Sequence, residues 1–218
     1  MQRLLKSRRA TLIFSLLAVA GVVVFGLAVG VLMQPAVQIV GMERTAELVC
    51  LQLAFTPERA ASVVLGFPEA ARIAIAQLLV PGDLALAWGY GLLLAGLTGL
   101  LALRLTGEWR RAGAIALWIP LLASTLDCIE NAFLHAIVMG LVNAPDTLPA
   151  SALTLLAGGV SSLKWIALCV ATPAYGFAGI FKGLGTDRSW SALLVYALLF
   201  VVLFAMVMKP LQDIPACF

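Results

Sequence analysis

Charged residues fall in short intervals of this chain, and long apolar runs separate them. Five such runs cover about 11–33, 84–103, 114–142, 150–181 and 190–208. Each reaches or approaches the roughly 20 apolar residues that an α-helix needs to cross a hydrocarbon core. Gln34-Pro35 ends the first run. Asp83 stands at the entrance of the second and Arg104 at its exit, and Trp88 and Tyr90 near the start suit a membrane interface. The third run exceeds the crossing length, which predicts tilt or protrusion. Pro145 and Pro149 lie in the short turn that follows it. Pro173 predicts a kink or an end within the fourth.

The interval 36–82 has a different pattern. Glu43, Arg44, Glu47, Glu58, Arg59, Glu69 and Arg72 alternate there with apolar residues. Thr56-Pro57-Glu58 is a helix start, with Thr as N-cap, Pro at the first helical position and Glu in the first turn. Gly66 and Pro68 break that helix, Pro68 can open another, and Pro81-Gly82 ends it. Ala46, Val49 and Leu53 add apolar positions at helical spacing. Two or three short amphipathic helices are expected. The pattern does not separate folding onto a bundle from resting on lipid headgroups. The predicted fold class is therefore all-α. It is one membrane domain over 1–218, with five transmembrane helices and an external amphipathic cap between spans one and two.

Composition supports the bilayer as solvent and principal partner. The chain is 62% hydrophobic and 11% charged, with a mean hydropathy of +1.05, against about 25% charged residues in soluble domains. The net charge of +3 needs no nucleic-acid partner, because Arg3, Lys6, Arg8 and Arg9 crowd the N-terminus as a cytoplasmic anchor would. Arg104, Arg110, Arg111, Lys182 and Arg188 fall on the same side of a five-span chain. This bias predicts a bacterial inner-membrane protein with a cytoplasmic N-terminus. The cap, the 143–149 turn and the C-terminus are then external. The uninterrupted run from Thr11 is longer than the h-region of about 7–15 residues in a cleavable signal. Even beside the faintly twin-arginine Ser7-Arg8-Arg9, the expectation is a retained helix. Gly26 and Gly30 form a GxxxG, which serves either close helix approach or no purpose beyond the general abundance of membrane glycine.

Cys50 and Cys217 share the external side on this topology, so a disulfide between them is compatible with an oxidising compartment; the alternative is a simply buried Cys50. Cys128 and Cys169 lie within spans as small apolar side chains. One histidine and no CxxC leave too few ligands for a zinc site or a bis-histidine haem, so no metal or cofactor is expected.

The stretch STLDCIENAFLH, Ser124 to His135, interrupts the third run with polar groups. At about 100° per residue, Ser124, Asp127, Asn131 and His135 share one helix face and Glu130 lies beside it. Such a stripe cannot face lipid cheaply, since a central Asp or Lys costs about 2.5–3.5 kcal/mol on insertion scales. Depth counted along the third and fourth spans brings Lys164 to the level of Asp127 and Glu130, near the midplane. Two readings follow. One is an interhelical clasp with nothing bound. The other is a site in which Asp127, Glu130 and Lys164 act as acid/base or ion-pair groups, while Asn131, Ser124 and His135 contact a ligand.

The block Asp127-x-x-Glu130-Asn131 resembles one in small bacterial multi-pass membrane proteins. The resemblance extends to Thr56-Pro57-Glu58-Arg59 and to Asp83 ahead of the second span, about half the chain. It implies no activity. The leading functional expectation is a cluster that binds or transfers a small or lipid-like ligand, or protons. The alternatives are an accessory subunit of a larger membrane complex, with partner subunits on the cap, and a lipid-modifying membrane enzyme.

Overall fold

The computed structural model describes residues 8–41, 44–213 and 217, and all regular structure among them is helical. The expectations that rest on Arg3, Lys6 and Glu43 lie outside the described residues. Helix α1 (Arg8–Leu27) continues through a π-helical turn (Ala28–Leu32). Four short helices follow: α2 (Gln34–Val40), α3 (Thr45–Gln52), α4 (Pro57–Leu65) and α5 (Glu69–Leu79). Then come α6 (Gly82–Arg104), α7 (Gly107–Ala116), α8 (Trp118–Asn143) and α9 (Ser151–Ile166). A second π-helical turn (Ala167–Ala171), α10 (Thr172–Thr186) and α11 (Trp190–Asp213) complete the order.

Five stretches are long and apolar enough to cross a membrane: Arg8–Leu32, Gly82–Arg104, Gly107–Asn143, Ser151–Thr186 and Trp190–Met208. These match the five apolar runs, with two internal differences. Helices α7 and α8 part at Leu117, where Pro120 has no N–H to offer the carbonyl of Ala116. Pro173 does not end the fourth stretch. The π-helical turn just before it changes the hydrogen-bond register, Thr172 Oγ1 donates to Ala167 O at 2.8 Å, and the helix runs on to Thr186.

The interval between the first two spans forms four helices rather than two or three. Gly41, at φ 90°, ends α2 in a conformation that L side chains resist. Thr56 caps α4 by accepting from Arg59 N at 3.3 Å, with Pro57 at the first helical position. Helices α4 and α5 bend by 114° about the Gly66–Pro68 break. Taken as one bent unit, the pair also passes as a broken or re-entrant span.

Packing answers what the sequence left open about this segment, because the four helices fold onto the bundle. Leu51, Ala60, Val64, Phe67 and Ile75 are buried in one core with Leu134, Ile137, Val138 and Leu141 of α8 and Ala157 of α9. The Phe55 ring lies against Gly158, where a side chain would collide with it. This cap end is closed covalently. Cys50 on α3 and Cys217, both buried, form a disulfide across 5.0 Å between Cα atoms. Arg59 Nη2 donates to Cys217 O at 2.9 Å. Cys217, beyond the end of α11, is thereby held at the cap.

The far end of the bundle has a separate apolar core. Leu94, Leu97 and Leu101 of α6 pack there with Ile180, Leu199 and Leu203. Helices α1 and α6 approach backbone to backbone. A methyl at Gly89 would strike the backbone of Phe25, and one at Gly96 that of Ala18. Gly26 and Gly30 have nothing within 4 Å, so the GxxxG faces away from the bundle.

Candidate functional site

Helix α8 carries Asp127, Glu130 and Asn131 inward, and all three are buried with Ser124. Helix α9 brings Lys164 to meet them. Lys164 Nζ stands 2.9 Å from Asp127 Oδ1 and 2.6 Å from Glu130 Oε2. The one ammonium therefore bridges both carboxylates of the predicted pair. Asp127 is satisfied on its other oxygen too, since Tyr90 OH donates to Oδ2 at 2.7 Å. Glu130 is fully buried, and its Oε1 has no hydrogen-bond partner. The Ser161 hydroxyl stands beside it, short of a well-formed bond.

Helix α6 contributes a third carboxylate. Asp83, in its first turn, lies within charge–charge reach of Asp127 and Lys164 and faces the Asn131 amide. Neither polar atom of Asn131 makes a well-formed hydrogen bond. The cap reaches in from the other side. Gln52 Oε1, at the end of α3, accepts from Trp165 Nε1 at 3.2 Å and from Lys164 Nζ at 3.4 Å. The assembled site holds Asp83, Asp127 and Glu130 against the single cation Lys164.

A cavity of about 210 Å³ opens beside this cluster, between the cap and the bundle. Its polar lining consists of Asp83, Gln52 and the indole of Trp165. Apolar residues such as Met33, Val37, Leu48 and Leu78 form the rest. Asp83 thus belongs both to the charged cluster and to the cavity wall.

Two residues predicted as ligand contacts are otherwise engaged. Ser124 Oγ lies 2.7 Å from Ala87 O and 3.0 Å from Pro120 O, and Gly91 leaves room for it. Its one hydroxyl proton is thereby used within α8 or toward α6. His135 Nδ1 lies 2.9 Å from Ala76 O and so carries the proton there, pinning α5 to α8. Sequence reasoning missed Gln52, Tyr90 and Trp165, and left Asp83 at a span entrance. A signal existed for two of them: Asp83, Ala87 and Tyr90 recur at i, i+4 and i+7, one face of α6.

Level along the helices also differs from one helix to another. From Asp127 to the end of α8 is about 24 Å, and from the start of α9 to Lys164 about 20 Å. Along α6, however, the cluster extends from Asp83 to Tyr90, only about 10 Å from its start. Helices α8 and α9 overhang α6, and the cap fills the space beside the overhang. Gly82 touches Met33 there, so the cap-side ends of the first two spans meet at the level of the site.

Compared with protein family models, curated proteins and solved structures, the chain matches none.

Proposed function

We propose that the chain is a polytopic inner-membrane protein whose charged cluster binds or transfers a small or lipid-like ligand, or protons, under the cap. The membrane assignment draws on the five span-length helices and on wide apolar exposure along α1 and α11, including Leu16, Val19, Val22, Leu194 and Val201. Exposed Trp109, Trp118 and Trp190 collect at the far end, as an interfacial belt would. Arg104, Arg110, Arg111 and Lys182 lie toward the same end, which fits a cytoplasmic face. The cap and Cys217 are then external, and a disulfide there suits an oxidising compartment.

The observation that carries the site reading is Asp83. A clasp between α8 and α9 needs Lys164 and its acidic partners, and it has them. It needs neither a further carboxylate nor a cavity ending on that carboxylate. Intramembrane ionisable groups in excess of their pairing mark ligand or proton pathways. Asp83 would be the group that meets the ligand. Asp127, Glu130 and Lys164 would set the local charge, and Asn131 would orient what binds.

The test is to purify the wild-type chain and its Asp83→Asn variant in mild detergent and compare co-purifying molecules by native mass spectrometry. A bound species present in the first and depleted in the second is expected. Identical spectra from two equally folded preparations, with equal proton flux in proteoliposomes, would remove the site reading. A second reading, an accessory subunit with the cluster as an inert clasp, draws on Lys164 already engaging both α8 carboxylates. It expects stable partner subunits in the same spectra.

A further inference from the structure

We propose that the ligand is an amphipathic cation, an amine whose N–H groups meet Asp83 and Asn131 while its apolar body fills the cavity beneath α2, α3 and α5. This rests on the ligand-site reading above and names the ligand's chemistry.

Charge is the first argument. Three carboxylates share one ammonium, and the surrounding Tyr90, Gln52, Ser161 and Asn131 are neutral. With Asp127 and Glu130 buried and Asp83 partly buried, an excess of negative charge here is costly unless a cation or proton joins it. The same excess repels carboxylate or phosphate headgroups, so it selects against anionic amphiphiles. The second argument is the location of unused hydrogen-bonding capacity. Asp127 is engaged on both oxygens. Asn131 is 2% exposed, has no well-formed hydrogen bond, and stands against Asp83, which lines the cavity. An ammonium there donates to the Asp83 carboxylate and to Asn131 Oδ1, while Asn131 Nδ2 remains free to donate to Asp83.

The third argument is the shape and lining of the space. A proton requires no 210 Å³ cavity beside its acceptor. A hydrated inorganic cation would find a wall that is apolar apart from Asp83, Gln52 and Trp165. Among the described residues no three acidic, His or Cys side chains converge as metal ligands would. An alkyl or ring body attached to the charge matches this lining. Lys164 does not compete for Asp83, because Asp127, Glu130 and Gln52 already hold its ammonium.

The experiment measures binding of dodecylamine, dodecanol and dodecanoate to the intact disulfide-bonded chain in detergent, by native mass spectrometry and thermal shift. Dodecylamine is expected to bind one to one, with Asp83→Asn weakening it roughly thirtyfold or more, as loss of one partner of a desolvated charge pair does. Val37→Trp, which fills the cavity and leaves the cluster intact, is expected to abolish binding as well. It supplies the answer if Asp83→Asn does not fold. Asp83-dependent binding of dodecanoate or dodecanol at equal strength overturns the cation inference and leaves the ligand site standing. Amine binding indifferent to both substitutions overturns it as detergent-phase partitioning. Binding of none of the three probes, with no co-purifying molecule, removes the ligand site itself. Asp83-dependent proton flux without amine binding assigns the cluster to protons alone and overturns the amine.

Discussion

The two ends of the bundle are built by opposite means. The far end is an apolar core in which α1 and α6 touch through glycine, and its charged residues lie at the helix ends. Arg104, for example, pairs with Asp187 just after α10 at 3.3 Å and donates to Ser191 in the first turn of α11. The cap end buries Asp127, Glu130 and Lys164, sets a partly buried Asp83 beside them, leaves a cavity there, and is held by four short helices and a disulfide. One end gains stability from close packing. The other retains polar groups that packing alone does not need, and closes over them with four short helices that share a core with α8 and α9. Strength and chemistry are thus separated along the helix axis.

The sharpest way to break this contrast is Lys164→Met. It strands the carboxylates of Asp127 and Glu130 in a buried setting, and a loss of about 3–5 kcal/mol is expected in reversible unfolding. The triple change Lys164→Met, Asp127→Leu, Glu130→Leu is expected to recover most of that stability, since apolar packing can replace a buried ion cluster. Failure to recover would mean that the cap end depends on its charges as strongly as the far end depends on packing.

Cys50→Ser comes next, at about 2–4 kcal/mol. Its effect is expected to stay at the cap end: faster proteolysis between α3 and α5, with α6 to α11 protected as before. Uniform loosening would show that the two ends are not separable. Gly96→Ala probes the opposite end, where the added methyl meets the Ala18 backbone, and about 1–3 kcal/mol is expected. Unfolding there should leave ligand retention at the cap unchanged.

The smallest effect concerns Glu47. The Arg44 guanidinium donates to it at 2.7 Å and holds its carboxyl below the ordinary value of 4.5. A folded-state value below the unfolded one stabilises fully above the unfolded value and loses that contribution as pH falls through the folded value. Glu47 is partly exposed, so solvent screening limits the pair to about 0.2–1 kcal/mol. Arg44 also donates to Gly66 O and lies over the Phe67 ring at 3.9 Å. Cap protection, followed by hydrogen exchange, should therefore weaken slightly below the ordinary carboxylate range, and Glu47→Gln should remove that dependence.

Much of this was legible in the residues. Apolar runs mark all five span-length helices, and Thr56-Pro57-Glu58 marks the start of α4 where it forms. The i, i+3, i+4 spacing on α8, with depth counted along α9, pairs Lys164 with Asp127 and Glu130. The omissions share a cause. Depth counted along α8 and α9, which overhang α6, leaves Asp83 at the start of α6 remote from the cluster and makes Tyr90 resemble an interfacial aromatic. Gln52 was out of reach for a different reason, because nothing local tells whether an amphipathic helix rests on lipid or turns inward over a bundle. Ser124 shows the converse, since a polar residue on the right face can use its hydroxyl entirely on neighbouring carbonyls.

The link between Cys50 and Cys217 has a consequence for how the molecule is made. Cys50 emerges from the ribosome early and Cys217 only after the four later spans, yet the two must meet before the cap is fastened. On the membrane reading, the cap can fold over α8 and α9 once these insert, but it is locked only when Cys217 has followed the last span-length helix. Until then α3, and Gln52 with it, can lift from Lys164. The covalent seal on the site is thus a late step of biogenesis, and a chain arrested before its last span would carry the full charged cluster under an unfastened cover.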